Sequence, residues 1–146
     1  MKKIDNYLFE KFKIESDIDT KKSDIKIDEI KDRDTALEYI ESNFKTEPLE
    51  SWEEKGKAIK IIYNDNLSMR IDFINRIEYL FTIYGPNDEE IYDCNSTDEA
   101  DSTNWETFLD IRKYALRLKS LRAKFGRNKP YIDRMHRIAE KIFSLL

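Results

Sequence analysis

Valine and glutamine are absent from this chain, which also has a single cysteine, a single histidine, three glycines and three prolines. The lone Cys94 has no internal partner, so no disulfide framework exists, and a reducing compartment is expected. Gly56, Gly85 and Gly126 stand apart from one another, which rules out a glycine-rich phosphate loop. No apolar run approaches the roughly 18–20 residues that a membrane span needs, so no membrane partner is expected. Met1-Lys2-Lys3 runs into the mixed Ile4-Asp5-Asn6-Tyr7, so no signal-peptide core follows the first residues. A soluble, cytoplasmic protein is the expectation.

The chain does carry 19 isoleucines and 17 lysines among its 146 residues. Ile, Lys and Asn are read from AT-rich codons, and a bacterial cell or a phage-infected host is the expected setting. At this length roughly 68–70% of the unfolded surface is buried on folding, enough for one core without metals or disulfides. No repeat or low-complexity linker divides the chain, and a single domain over residues 1–146 is expected.

Charge is unevenly spread. Residues 1–109 hold 15 Lys and Arg against 27 Asp and Glu, whereas residues 110–146 hold 11 against 3. The halves are thus −12 and +8, which sum to the overall −4. Two readings stand: the halves attract and pack, or the basic end meets phosphate or an acidic protein.

Periodicity predicts an α+β fold: N-terminal helices, a four-stranded antiparallel meander, and a C-terminal helical hairpin packed on one sheet face. Ile4, Tyr7, Leu8 and Phe12 fall at helical spacing over residues 4–14, and residues 16–34 read as a mobile loop with one short element. A second helix is expected from the capping box Thr35-x-x-Glu38, and a third from Thr46 through Pro48 to a stop at Gly56. Apolar residues then alternate at Ile59, Ile61, Tyr63, at Leu67, Met69, Ile71, Phe73, and at Ile77, Tyr79, Phe81, Ile83. Like parity requires paired numbers with an even sum, so three-residue loops at 64–66 and 74–76 are expected. They would pair Tyr63 with Leu67 and Phe73 with Ile77. A turn at 85–88 leads to a weaker strand around Ile91 and Tyr92. Thr103-x-x-Glu106 opens a long helix to about Phe125, with Gly126 at its stop, and Pro130 starts the last one. On a continuous wheel, Arg112, Lys119 and Arg122 fall between apolar seams of Trp105, Leu109, Leu116 and Ile111, Leu118, Phe125. Phe73, Phe81 and Ile138 are expected in the core.

Catalytic equipment is thin, and no catalytic residue, metal site or cofactor is expected. His136 reads as a boundary residue of the last helix, and nothing in the spacing makes it a base for Cys94. The acidic run 88–101 lacks the central glycine and closing glutamate of a calcium loop, and reads as a solvated, flexible loop. Glu29-Ile30-Lys31 and Glu53-Glu54-Lys55 match a Glu-x-Lys nuclease signature by spacing alone, on loop or helix and not on strands.

Exclusion therefore points to a non-enzymatic interaction protein whose partner is another protein or a nucleoprotein. An inhibitor, an immunity factor or a phage-encoded antagonist of a host system fits that description. Its candidate surface joins the aromatic residues Trp52, Tyr84 and Tyr92 to the acids Asp88, Glu89, Glu90 and Asp93, because Trp and Tyr are enriched among interface anchors. The alternative is nucleic-acid binding by a basic hairpin over residues 112–141. Its anion-binding candidates are Arg122, Lys124, Arg127, Lys129, Arg134, Arg137 and Lys141.

Overall fold

The computed structural model describes residues 25–96, 104–122 and 128–146. The expected helix at 4–14, Thr103, Phe125 and Gly126 lie outside the described residues.

Five antiparallel strands form one sheet in chain order: β1 (Thr46–Leu49), β2 (Lys57–Asn64), β3 (Leu67–Phe73), β4 (Tyr79–Tyr84) and β5 (Glu90–Asn95). The additional strand is β1, where the sequence suggested a helix. Pro48 misled that reading. It suits a helix's first turn, but it also suits an edge strand, where its missing N–H deprives no neighbour. Here Pro48 sits on the edge opposite Ile59. On the other edge, β5 covers 90–95, so much of the supposed acidic loop is strand.

The hairpins show how far parity can be trusted. Ile59 pairs with Ile71 and Ile61 with Met69, an even sum as expected. The turn itself has only two residues, because Asn64 pairs with Leu67 and the register shifts between Ile62 and Asn64. That bulge absorbs the extra residue and restores the parity a two-residue turn would have broken. The second hairpin differs more. Phe73 pairs with Tyr79 and not with Ile77. Asn75 Oδ1 accepts from Ile77 N at 2.9 Å and from Glu78 N at 2.8 Å, organising a five-residue turn at 74–78. Ile77 is left 72% exposed. A shift of two residues preserves parity, so alternation alone was blind to it.

Helix starts follow the same lesson. α1 (Arg33–Asn43) is capped by Asp32, with Thr35 as the third residue of the box and not as the cap. Asp32 Oδ1 accepts from Thr35 N at 3.0 Å, and Thr35 Oγ1 accepts from Asp32 N at 3.1 Å. A 3-10 turn at Ile27–Glu29 precedes it, and Ile30 is buried. The expected long helix is broken in two, α2 (Trp105–Leu109) and α3 (Ile111–Ser120). Asp110 makes the break, its Oδ1 accepting from Arg112 N and Lys113 N at 3.1 and 3.2 Å. The rotation at this joint corrects the continuous wheel. α3 buries Ile111, Tyr114, Ala115 and Leu118, while Arg112, Lys119 and Arg122 are exposed and Leu116 leaves the core. The last helix, α4 (Lys129–Leu145), starts beside Pro130 as expected and is capped by Asn128.

One face of the sheet carries the core. Ile59, Ile61, Met69, Ile71, Phe73, Phe81 and Ile83 join Ile40 of α1, Phe108 of α2, Tyr114 of α3 and Met135, Ile138 and Ile142 of α4 in one buried cluster. Phe81 is its centre, with ring centroids 4.8 Å from Phe108, 5.9 Å from Tyr114 and 6.0 Å from Tyr92. No helix among the described residues is long and apolar enough to cross a membrane.

Candidate functional site

Because side chains alternate along a strand, the face away from the helices receives the even-numbered residues of β3 and β4. These are Ser68, Arg70 and Asp72, then Leu80, Thr82 and Tyr84. Among the described residues, helices cover only the other face. Residues 50–56, between β1 and β2, fold across this one instead, and a buried carboxylate holds them there. Asp72 is fully buried and accepts from Ser51 Oγ at 2.5 Å, from Trp52 N at 2.9 Å and from Arg70 Nη2 at 3.0 Å. Arg70 also donates to Glu50 O at 2.7 Å. The loop closes tightly at Gly56, where a Cβ would collide with Ser51 Oγ and stand 2.7 Å from Phe73 O, so no larger residue fits.

This network fixes an aromatic side chain in the solvent. The Arg70 guanidinium lies 3.9 Å from the Trp52 ring centroid, a cation–π stack, and the indole is 61% exposed. Trp52 forms one wall of a groove of about 560 Å³. Leu80, Thr82 and Tyr84 of β4 and Glu90, Asp93 and Asn95 of β5 line it, and Tyr131 and Arg134 of α4 bound its far side.

Of the aromatic and acidic candidates, this groove brings together Trp52, Tyr84, Tyr92, Glu90 and Asp93. Their exposure differs from the expectation. Tyr92 is 6% exposed and packs on Phe81, so it belongs to the core and only floors the groove. Tyr84 is half-buried, with Lys60 Nζ 5.9 Å from its ring centroid. Lys60 also pairs with Asp88 at 3.4 Å, and Glu89 pairs with Lys141 at 3.7 Å. Glu90 and Asp93 are exposed and have no ion-pair partner among the described residues.

Lys124 and Arg127 lie outside the described residues. Lys129 pairs with Asp133 at 3.1 Å, and Arg122 Nη1 donates to the carbonyls of Lys119 and Leu121. Lys119 pairs with Glu140. Arg134 turns toward the groove, 5.5 Å from the Tyr92 ring, while Arg137 is exposed on the same stripe of α4. Lys129 and Lys119 thus meet acids of the basic half itself, and among the described residues Lys113–Glu106 at 2.8 Å and Lys141–Glu89 join that half to the acidic one.

The remaining reactive groups have structural partners. His136 Nε2 lies 3.0 Å from Leu121 O, beyond the end of α3, and Cys94 Sγ donates to Asn95 O at 3.4 Å. Burial, with the Asp110 charge nearby, pushes the Tyr63 hydroxyl well above its ordinary range, and it donates to Leu109 O at 2.8 Å. Among the described residues no cluster of His, Cys, Asp and Glu is arranged to hold a metal.

Sequence reasoning missed Ser51, Arg70, Asp72 and Arg134 as members of one site. The signal for part of it was present: Arg70 and Asp72 are two apart on a strand, which puts opposite charges side by side on one face. No family model, curated protein or solved structure matches this chain.

Proposed function

We propose that this chain is a non-enzymatic interaction protein that seizes a protein partner through the groove between Trp52 and the β5 edge. One observation carries the reading: Trp52 is a large, exposed aromatic held by Arg70 beneath its ring and by Asp72 on its backbone. Anchors of this kind contribute most of the energy at interfaces, and pre-organisation removes part of the ordering cost of binding. A surface so prepared suits a blocker or regulator, as an inhibitor, an immunity factor or a phage-encoded antagonist would be. Reaction chemistry has no comparable support, since His136 Nε2 is engaged by a backbone carbonyl.

Nucleic-acid binding by the α3–α4 surface is the second reading, favoured by the exposed Arg137 and Arg134 on one stripe of α4. Photo-cross-linking separates the two. A benzoylphenylalanine at position 52 or 84 should trap one protein from extracts of the native host, and the same group at 137 should not. Trapping of nucleic acid at 137, with nothing at 52, would reverse the choice.

A further inference from the structure

We infer that β5 is a docking edge for an extended, cationic segment of a partner protein, which adds to the sheet as a sixth strand. This rests on the reading above and specifies its ligand. Among the described residues the sheet ends in two edges, β1 and β5, and they are unlike. β1 has four residues with Pro48 among them, a blunted edge. β5 has six residues and no proline. Ser96 N donates to Tyr79 O, and alternation along the ladder then turns the N–H and C=O of Asp93 away from β4. The groove is lined from both sides of the sheet, by Thr82 and Asp93 on one and Tyr131 and Arg134 on the other, which places it around this outer edge.

Charge identifies the occupant. Glu90 and Asp93 pair across to Tyr84 and Thr82, so both project on the Trp52 side, and neither is neutralised by a cation among the described residues. An incoming strand would set alternate side chains against them, and Lys or Arg there would find opposite charge, with stems along Leu80 and Thr82. The side chains between would face Tyr131 and Arg134, where a small polar residue fits and a cation does not. A second copy of this chain is disfavoured. Antiparallel pairing of β5 with itself would crowd the Glu90 and Asp93 carboxylates of both copies onto one face. Main-chain bonds to an edge, with alternate side chains giving specificity, are a general mode of peptide recognition.

The probe is a fluorescein-labelled, acetylated octapeptide, Lys-Thr-Lys-Ser-Lys-Thr-Lys-Ser, read by anisotropy at low salt. Its controls are the same composition with contiguous lysines and the same pattern with Glu for Lys. The alternating cationic peptide should bind tightest and should slow amide exchange at Asp93. Asp93→Asn should weaken it roughly two- to five-fold, the range of one cross-strand charge pair. Asp93→Pro, which also removes the outward N–H, should abolish it. Thermal melting confirms that each variant folds, and if the proline variant does not, exchange at Asp93 in the unaltered protein decides. Equal binding of alternating and contiguous lysines, no protection at Asp93, no binding at all, or a dimer through β5 in sedimentation each overturns the strand-addition proposal. If position 52 still cross-links a protein in that event, the interaction reading survives while this account of its ligand fails.

Discussion

Replacing Asp72 with alanine tests the platform beneath Trp52. The carboxylate is fully buried, and the Arg70 side chain it neutralises is only 11% exposed. Removing one partner of a buried pair leaves an uncompensated charge, at a cost of about 3–5 kcal/mol. Ser51 Oγ and Trp52 N lose their acceptor as well, but residues 50–56 lie at the surface and can rehydrate, so the lower end, about 3 kcal/mol, is expected. For a chain of this length that is a fall in Tm of roughly 6–12 °C. Urea unfolding followed by circular dichroism measures it directly. Arg70→Met with Asp72→Leu should recover most of the loss, because two apolar groups leave no charge to desolvate. Acrylamide quenching of Trp52, read in a Trp105→Phe background, should rise in Asp72→Ala. A loss below about 1 kcal/mol, or additive single and double variants, would show that the pair does not hold the loop.

Three further outcomes are expected. Phe81→Ala should cost about 3–5 kcal/mol in denaturant melts, since its ring lies at the centre of the aromatic cluster and is 1% exposed. Tyr63→Phe should cost about 1–2 kcal/mol by the same assay, because it strips the Leu109 carbonyl of its donor. Bonds from Thr35 N and Oγ1, then the Arg76 guanidinium, hold the Asp32 carboxyl down at about 2, below its ordinary 3.8. A depressed pKa gives stability that is present above the unfolded value and lost as pH falls through the folded one. The advantage of the unaltered protein over Asp32→Asn should therefore be full above pH 3.8 and vanish near pH 2 in acid-unfolding curves.

The strands were legible because alternation is a strong, local signal. Ile59, Ile61, Met69, Ile71 and Phe81 all lie on the core face that their parity predicted. Shifts that preserve parity were not legible: Ile77 left the ladder because the Asn75 side chain could close a longer turn. Helix boundaries failed where two capping patterns overlapped, Asp32-x-x-Thr35 against Thr35-x-x-Glu38. The half-buried, reciprocal Asp32 box prevailed, its carboxylate also pairing with Arg76 at 3.0 Å. At Asp110 a single residue offered a cap within an otherwise periodic run, and the helix restarted there.

The site was legible only in its parts. Trp52, Tyr84, Glu90 and Asp93 were chosen by residue type, and types alone do not say which side chains a fold will gather. What gathers them is one carboxylate: Asp72 draws residues 50–56 over the sheet and brings Trp52 to the same groove as Tyr84, Glu90 and Asp93, 32 to 41 positions later. Tyr92 was misjudged for the converse reason. Chosen as a tyrosine beside the acids Glu90 and Asp93, it is set opposite Ile83, on the core face, by the bulge beside Ile91. A register shift of one residue reverses every side chain beyond it, so a single bulge decides between interface and core. The same bulge puts Glu90 on the Trp52 side together with Asp93, and the acidic lip of the groove exists because of it.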